Sequence, residues 1–260
     1  METIVLKFGG ASLKEISQFD SICKIILKKK SEYKNILVVV SAMGKMTDEL
    51  IDMAHKVSKN PPKRELDMLV STGERISMSL LAMSLASYHV DAISFTGSQA
   101  GIITSSEHTD AKIIDVKPKR ILEHLNESKV VVVAGFQGVS LNGEITTLGR
   151  GGSDTTALAL AIALNAEMVE FYKDVKGIFS NDPKKTPDAE FFEYLTYKEA
   201  MDIILKSDRK LLHPRALILA EKNRIPLSIR SFETLEDGSR IQDEGPLRLD
   251  PIYEAEECLI

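Results

Sequence analysis

The chain has 260 residues, enough for one large domain or two lobes sharing a cleft. With 43% hydrophobic and 27% charged residues, its composition is that of a globular protein and excludes a disordered or fibrous one. Acidic residues outnumber basic ones 38 to 33, a net charge of -5, which argues against a nucleic-acid partner because neutralising phosphates needs a basic face.

In chain order, Ile4-Val5-Leu6 reads as a strand and Leu13 to about Lys30 as a helix whose Lys28-Lys29-Lys30 end is a solvated face. Ile36 to Val40 is too short for a helix and rich in valine, so it reads as a buried strand. Helical patterns follow from Thr47 to Lys59 and from Arg64 to Tyr88, with the Pro61-Pro62 pair as the loop between them. Val90 to Phe95 and Val130 to Val133 are further strands, and Leu141-Asn142-Gly143-Glu144 suits a hairpin turn. A helix from Thr155 to Asn165 leads into a strand at Met168 to Tyr172, a turn at Asn181-Asp182-Pro183, helices at Tyr197 to Lys206 and Leu211 to Asn223, and a strand at Leu227 to Arg230. The stretch from Gln242 to Ile260 reads as an extended or frayed tail. Strands alternating with helices imply a mainly parallel sheet covered on both faces, with strand C-terminal ends and their loops along one edge.

Cys23 and Cys258 lie far apart, so a reduced cytoplasmic interior fits them better than a disulfide framework. The N-terminus has no apolar leader, and the longest apolar run, Ala157 to Leu164, is too short to span a membrane. The histidines are scattered, without H-E-x-x-H or an acid–base spacing. Zinc chemistry and a Ser-His-Asp hydrolase therefore have no support, and His213 before Pro214 reads as a structural or capping residue.

Three segments carry chemistry. Lys7-Phe8-Gly9-Gly10-Ala11-Ser12 closes the first strand; paired glycines let backbone N–H groups approach a phosphate and Lys7 would add a charge, against the plainer reading of a strand-to-helix turn. Neither G-x-x-x-x-G-K-[ST] nor G-x-G-x-x-G is present, so the P-loop and Rossmann fingerprints are absent. Gly149-Arg150-Gly151-Gly152-Ser153-Asp154 sets an arginine among near-bare backbone, its fork free for a carboxylate or phosphate; Asp154 could also be a simple N-cap. Ser71-Thr72-Gly73-Glu74-Arg75 puts Glu74 at a helix start, where an acid also simply suits the dipole.

Together these segments resemble the catalytic domain of aspartokinases, within the amino-acid kinase family. The resemblance runs from about Ile4 to Ile241 and extends through Val40-Ser41-Ala42-Met43-Gly44, Ala134-Gly135-Phe136-Gln137-Gly138, Tyr172-Lys173-Asp174-Val175-Lys176-Gly177-Ile178-Phe179 with Asp182-Pro183, and Lys210-Leu211-Leu212-His213-Pro214-Arg215. It implies an α/β/α sandwich that transfers the γ-phosphoryl group of ATP, with Mg2+, to the side-chain carboxylate of L-aspartate. On that resemblance Lys7 and Asp154 are catalytic, with Asp154 orienting Lys7, and Gly9 and Gly10 cradle the transferred group. Arg150 would clamp the acceptor α-carboxylate, Glu74 would receive its ammonium, and Ser41, Thr47 and Ser153 would line the site. Lys173, Asp174, Phe179, Lys184, Lys210 and Leu211 match nucleotide-binding positions. Lys173, Phe179 and Lys184 depart from the commoner threonine, tyrosine and arginine, and Ala11 and Ser207-Asp208-Arg209 depart too. No residue is expected to ligate a metal directly.

The resemblance also implies an aspartate lobe over about 1–146, an ATP lobe over about 147–241, a homodimer, and no nucleic-acid or membrane partner. The 242–260 tail is too short for the ACT regulatory modules that follow in the family, so no ACT domain is expected in this chain. Another acceptor (glutamate, acetylglutamate or a nucleoside monophosphate) and a non-catalytic binding protein of the same fold are the competing readings; Glu74 and Arg150 argue against the first, and the presence of Lys7 and Asp154 against the second.

Overall fold

The structure, a computed structural model, describes residues 3–254 apart from 184, 187, 208–210, 235 and 249. In chain order the elements are β1 (Thr3–Phe8), α1 (Gln18–Glu32), β2 (Asn35–Val40), α2 (Met46–Val57), α3 (Lys63–Val70), α4 (Thr72–Ser87), β3 (Ala92–Phe95), β4 (Ile102–Thr104), β5 (Ile113–Val116), α5 (Lys119–Asn126) and β6 (Val130–Ala134). They continue with β7 (Gln137–Ser140), β8 (Ile145–Thr147), α6 (Gly152–Ala163), β9 (Met168–Lys173), β10 (Ile178–Phe179), β11 (Phe191–Phe192), β12 (Tyr194–Leu195), α7 (Tyr197–Lys206), α8 (Pro214–Asn223), β13 (Leu227–Ser231) and β14 (Ser239–Ile241).

An eight-stranded sheet in the order β12-β14-β13-β9-β1-β2-β6-β3 runs through the molecule, parallel except where β14 meets β13. Its central strands β1, β2 and β6 are buried at every position and mostly apolar, because alternate side chains enter two different cores. Val5, Leu37, Val39, Val131, Val133, Val169 and Phe171 pack with α5, α6 and α8 on one face. Ile4, Leu6, Phe8, Ile36, Val38, Val40 and Val132 pack with α1 and α4 on the other. The mainly parallel α/β/α sandwich expected from the sequence is the observed one.

After β1 the chain builds β2, β6 and β3 on one side, then returns to place β9 and β13 on the other. The C-terminal ends of β1 and β9 thus flank a topological switch point, the usual place for a ligand crevice in an open α/β sheet.

Several local expectations change. The helix expected from Arg64 to Tyr88 is two helices, broken at Ser71, whose carbonyl accepts from Gln137 Nε2 at 2.8 Å instead of continuing the ladder. The helix expected from Leu13 begins only at Gln18, after a 3-10 turn over Gly10–Leu13. The helix expected from Leu211 begins at Pro214, where the fixed proline φ suits the first turn and His213 Nδ1 accepts from the Arg215 N–H as the cap. The hairpin expected at 141–144 joins β7 to β8, but the rest of the four-stranded sheet β5-β4-β7-β8, and α5, were not expected; β4 and β5, of three and four residues, are too short to show a period. The tail is extended but pinned through Glu254: Ile252 exchanges two hydrogen bonds with the Asn223 side chain, and Tyr253 and Glu254 are buried.

Candidate active site

A cleft of about 510 Å³ opens at the C-terminal edge of the large sheet, and Lys7, Gly10, Ser41, Thr47, Glu74, Arg150, Ser153 and Asp154 all line it. Lys7 is next to last in β1 and is 4% exposed. Gly10 leaves little room for a side chain: a Cβ there would lie 3.0 Å from the Ala42 carbonyl oxygen and 3.1 Å from that of Gly44. Gly9 sits beside Lys7, its Cβ position 3.5 Å from Nζ.

Asp154 is inside α6 and is not its N-cap. The cap is Gly151, left-handed at φ 75, and a Cβ on it would lie 2.4 Å from His213. Three residues from that cap, Asp154 meets two ammonium groups: Lys7 Nζ at 2.6 Å and Lys173 Nζ, from the end of β9, at 3.5 Å. Burial alone would raise the Asp154 carboxyl, but Lys173 and Lys7 outweigh it and hold the pKa below the ordinary range. Burial, with Lys7 nearby, pushes Lys173 down to about 8 against the pull of Asp154. Two cations sharing one carboxylate leave a net positive site at the switch point, suited to an anion bearing several charges.

Glu74, in the first turn of α4, is 3% exposed. Its Oε1 accepts from the Ala42 N–H at 3.1 Å, whereas Oε2 has no hydrogen-bond partner among the described residues. Burial pushes this carboxyl up to about 7 despite the backbone donors and Lys7. A buried acceptor facing a cleft with an open valence is a receptor for a cationic or N–H-bearing group. Arg150 also lines the cleft, is exposed, and has no ion-pair partner among the described residues. The cleft thus presents an anion receptor and a cation receptor along with the Lys7–Asp154–Lys173 group.

The nucleotide-matching residues divide. Lys173 and Asp174 lie together at the end of β9, next to the charged group. Phe179 and Leu211 line a separate apolar slot with Val175, Ile178, Pro183 and Ile204. Lys184 and Lys210 lie outside the described residues. Thr109, Phe136 and Thr147 also line the cleft and were not identified from the sequence as site residues. Phe136 stood inside a quoted motif and has a left-handed φ of 67, but nothing in the spacing marks Thr109 or Thr147. Among the described residues no helix is long and apolar enough to cross a membrane.

Fold and cleft define an open α/β protein with a charged crevice at the switch point of its sheet, and the comparisons with known proteins give its family. Residues 2–231 match the amino acid kinase family, and the chain belongs to it. It is 46% identical over 244 residues to an aspartokinase of Bacillus sp. (strain MGA3), covering 94% of this chain and 59% of that protein. Among solved structures, the aspartate kinase from Synechocystis superposes with a TM-score of 0.81 at 40% identity, over 95% of this chain and 40% of that one. Aspartokinase III of E. coli in complex with aspartate and ADP superposes with a TM-score of 0.81 at 26% identity, over 94% of this chain and 65% of that one. The chain spans about three-fifths of the length of the curated relatives it matches.

Proposed function

We propose that this chain is the catalytic region of an aspartate kinase, transferring the γ-phosphoryl group of MgATP to the side-chain carboxylate of L-aspartate. The observation that carries the reading is the cleft itself: Glu74, with a buried oxygen lacking a partner among the described residues, and Arg150, with no ion-pair partner among them, line the same cleft as the Lys7–Asp154 ion pair. A zwitterionic amino acid answers both receptors, its ammonium to Glu74 and its α-carboxylate to the Arg150 fork. That leaves its side-chain carboxylate facing the lysines.

In this reading a side-chain oxygen forms the new P–O bond while the bond from the γ-phosphorus to the β–γ bridging oxygen breaks and its electron pair leaves on ADP. Phosphoryl transfer asks the protein mainly for position and charge. Lys7, oriented by Asp154, neutralises charge on the transferred group, and Gly9 and Gly10 bring backbone donors close. Ser41, Thr47 and Ser153 line the acceptor and phosphate path. The nucleotide runs from Lys173 and Asp174 toward the apolar slot at Phe179 and Leu211, with Lys184 and Lys210 assigned to it by family position. Asp154 is already engaged by two lysines, so magnesium is read as part of the substrate, carried on the nucleotide phosphates. The stretch 1–146 supplies most of the acceptor site and 147–241 most of the nucleotide site. A cytoplasmic homodimer serving synthesis of the aspartate-derived amino acids completes the proposal.

The test is a coupled ADP-release assay with MgATP against aspartate, glutamate, N-acetylglutamate and UMP, with hydroxylamine trapping of the acyl phosphate. Aspartate-dependent release and a trapped hydroxamate are expected. Lys7→Ala should lower kcat at least a hundredfold, the usual loss when one preorganised charge is removed (about 3–4 kcal/mol). Release with another acceptor and none with aspartate would overturn the reading.

A further inference from the structure

Asp67 on α3 is a fully buried carboxylate that lies outside the charged group of the cleft. Its side chain reaches two loops. Thr147 Oγ1, at the end of β8, donates to Oδ1 at 2.6 Å. The Thr109 N–H points between both oxygens at 3.1 Å, and His108 Nδ1 lies 2.7 Å from Oδ2. A carboxylate gains its place in a protein interior only through such a full set of donors.

The residues it holds are those that frame Arg150. Thr109 and Thr147 both line the cleft beside Gly149 and Arg150. The loops are locked to each other as well: the Ala111 N–H donates to the Thr147 carbonyl at 2.9 Å. Gly149 rests so closely on the 109–110 loop that a Cβ on it would lie 2.7 Å from Asp110 Oδ1 and 3.2 Å from the Thr109 carbonyl oxygen. Thr109 itself sits at φ 73, in the left-handed region. A β-branched residue is an outlier there and stays only where its surroundings over-determine it, a kind of strain that collects at functional sites. The two-oxygen grip of Asp67 on the Thr109 N–H is that determination. Arg150, by contrast, is exposed and without an ion-pair partner among the described residues, so its place is set by its backbone and not by its own side-chain contacts.

We propose that Asp67 is a positioning residue for the amino-acid acceptor. By holding Thr109 and Thr147 it fixes the 148–151 loop that carries Arg150, and so sets affinity for the acceptor's α-carboxylate without taking part in phosphoryl transfer. The proposal rests on the acceptor role of Arg150 in the function proposed above, and it adds a specificity element that no motif in the sequence marks.

The experiment compares the wild-type chain with Asp67→Asn and His108→Ala, each first shown to be folded by circular dichroism. Asp67→Asn keeps the shape but turns an N–H pair toward donors. Initial rates of ADP release are measured against aspartate at saturating MgATP and against MgATP at saturating aspartate. For Asp67→Asn the aspartate KM should rise at least tenfold, about 1.4 kcal/mol, with kcat and the MgATP KM within threefold of wild type. His108→Ala, which removes one leg from a partly exposed position, should shift the aspartate KM about threefold in the same direction. An unchanged aspartate KM, or kcat and both KM values moving together, would overturn the assignment. If Asp67→Asn does not fold, an unchanged aspartate KM in His108→Ala overturns it. Should the wild type accept a different amino acid, the functional reading fails, and the same comparison made with that acid still judges Asp67.

Discussion

At the scale of single residues, the active site is an arrangement of charges whose ionisation states are tuned by burial. Glu74 is the clearest instance, with its free-enzyme carboxyl pushed up to about 7. Protonated, it cannot attract an ammonium, so kcat/KM for the acceptor should fall about tenfold per pH unit below 7 and level off above it. A profile flat between about pH 6 and 8 would remove Glu74 from the ammonium site. The same shift acts on stability. A folded pKa near 7 against an unfolded 4.5 means that the native state holds the proton more tightly, so stability is lost as pH rises through that window. Glu74→Gln should therefore gain about 3 kcal/mol at pH 8 in urea unfolding while losing acceptor affinity. Arg150→Lys should raise the aspartate KM about tenfold and leave the MgATP KM nearly unchanged, because lysine keeps the charge but not the two parallel hydrogen bonds. A rise in the MgATP KM alone would move Arg150 to the phosphates.

At the scale of elements, the sheet supplies the frame and a buried ionic cluster ties it to α1. Glu170, 1% exposed in the middle of β9, takes Lys29 of α1 at 2.9 Å and Arg230 of β13 at 3.1 Å, and accepts from the Tyr172 hydroxyl at 2.7 Å. Burial disfavours the Lys29 charge, yet Glu170 and Glu32 outweigh it and hold its pKa up. Removing the carboxylate takes from Lys29 and Arg230 their shared buried partner and leaves them only the more exposed Glu32 and Asp237, so Glu170→Leu should destabilise the fold by about 3 kcal/mol. The triple variant with Lys29→Met and Arg230→Met should recover most of that loss, since the carboxylates left behind, Glu32 and Asp237, are the exposed ones. Chemical denaturation of both variants measures the difference. The valine-rich strands and α7 were legible in the sequence because period and propensity agree over their whole length, and α7 adds a capping box of Thr196 and Glu199. The break at Ser71 was not legible, because the group that takes its carbonyl, Gln137, comes from 66 residues away.

At the scale of the whole molecule, one continuous sheet joins the N-terminal and C-terminal halves of the chain, and the segment up to Glu254 crosses back to β5. Glu254 grips the Arg215 guanidinium through both oxygens and accepts from the Ile113 N–H at 2.8 Å. Arg215 in turn donates to the carbonyls of Ala111 and Leu148, so α8, β5 and the strand before Arg150 meet at one buried ion pair. Glu254→Ala strands that arginine in a mostly buried position, which should cost about 3 kcal/mol and lower Tm by about 6–12 °C. An unchanged Tm in a calorimetric scan would mean that the tail is not fastened there.

The sequence by itself determined the sandwich architecture, the positions of the long elements and the family, because these depend on local periodicity and on short motifs whose spacing carries their chemistry. Lys7, Glu74, Arg150 and Asp154 were visible for that reason. Only the tertiary structure decided that Lys173 shares Asp154 with Lys7, that Asp154 lies inside its helix, that Asp67 reaches the loops around Arg150, and that Glu254 holds Arg215. Those pairings join residues far apart in the chain, where neither spacing nor propensity carries a signal, and they exist because burying a charge is tolerated only when the fold brings it a partner.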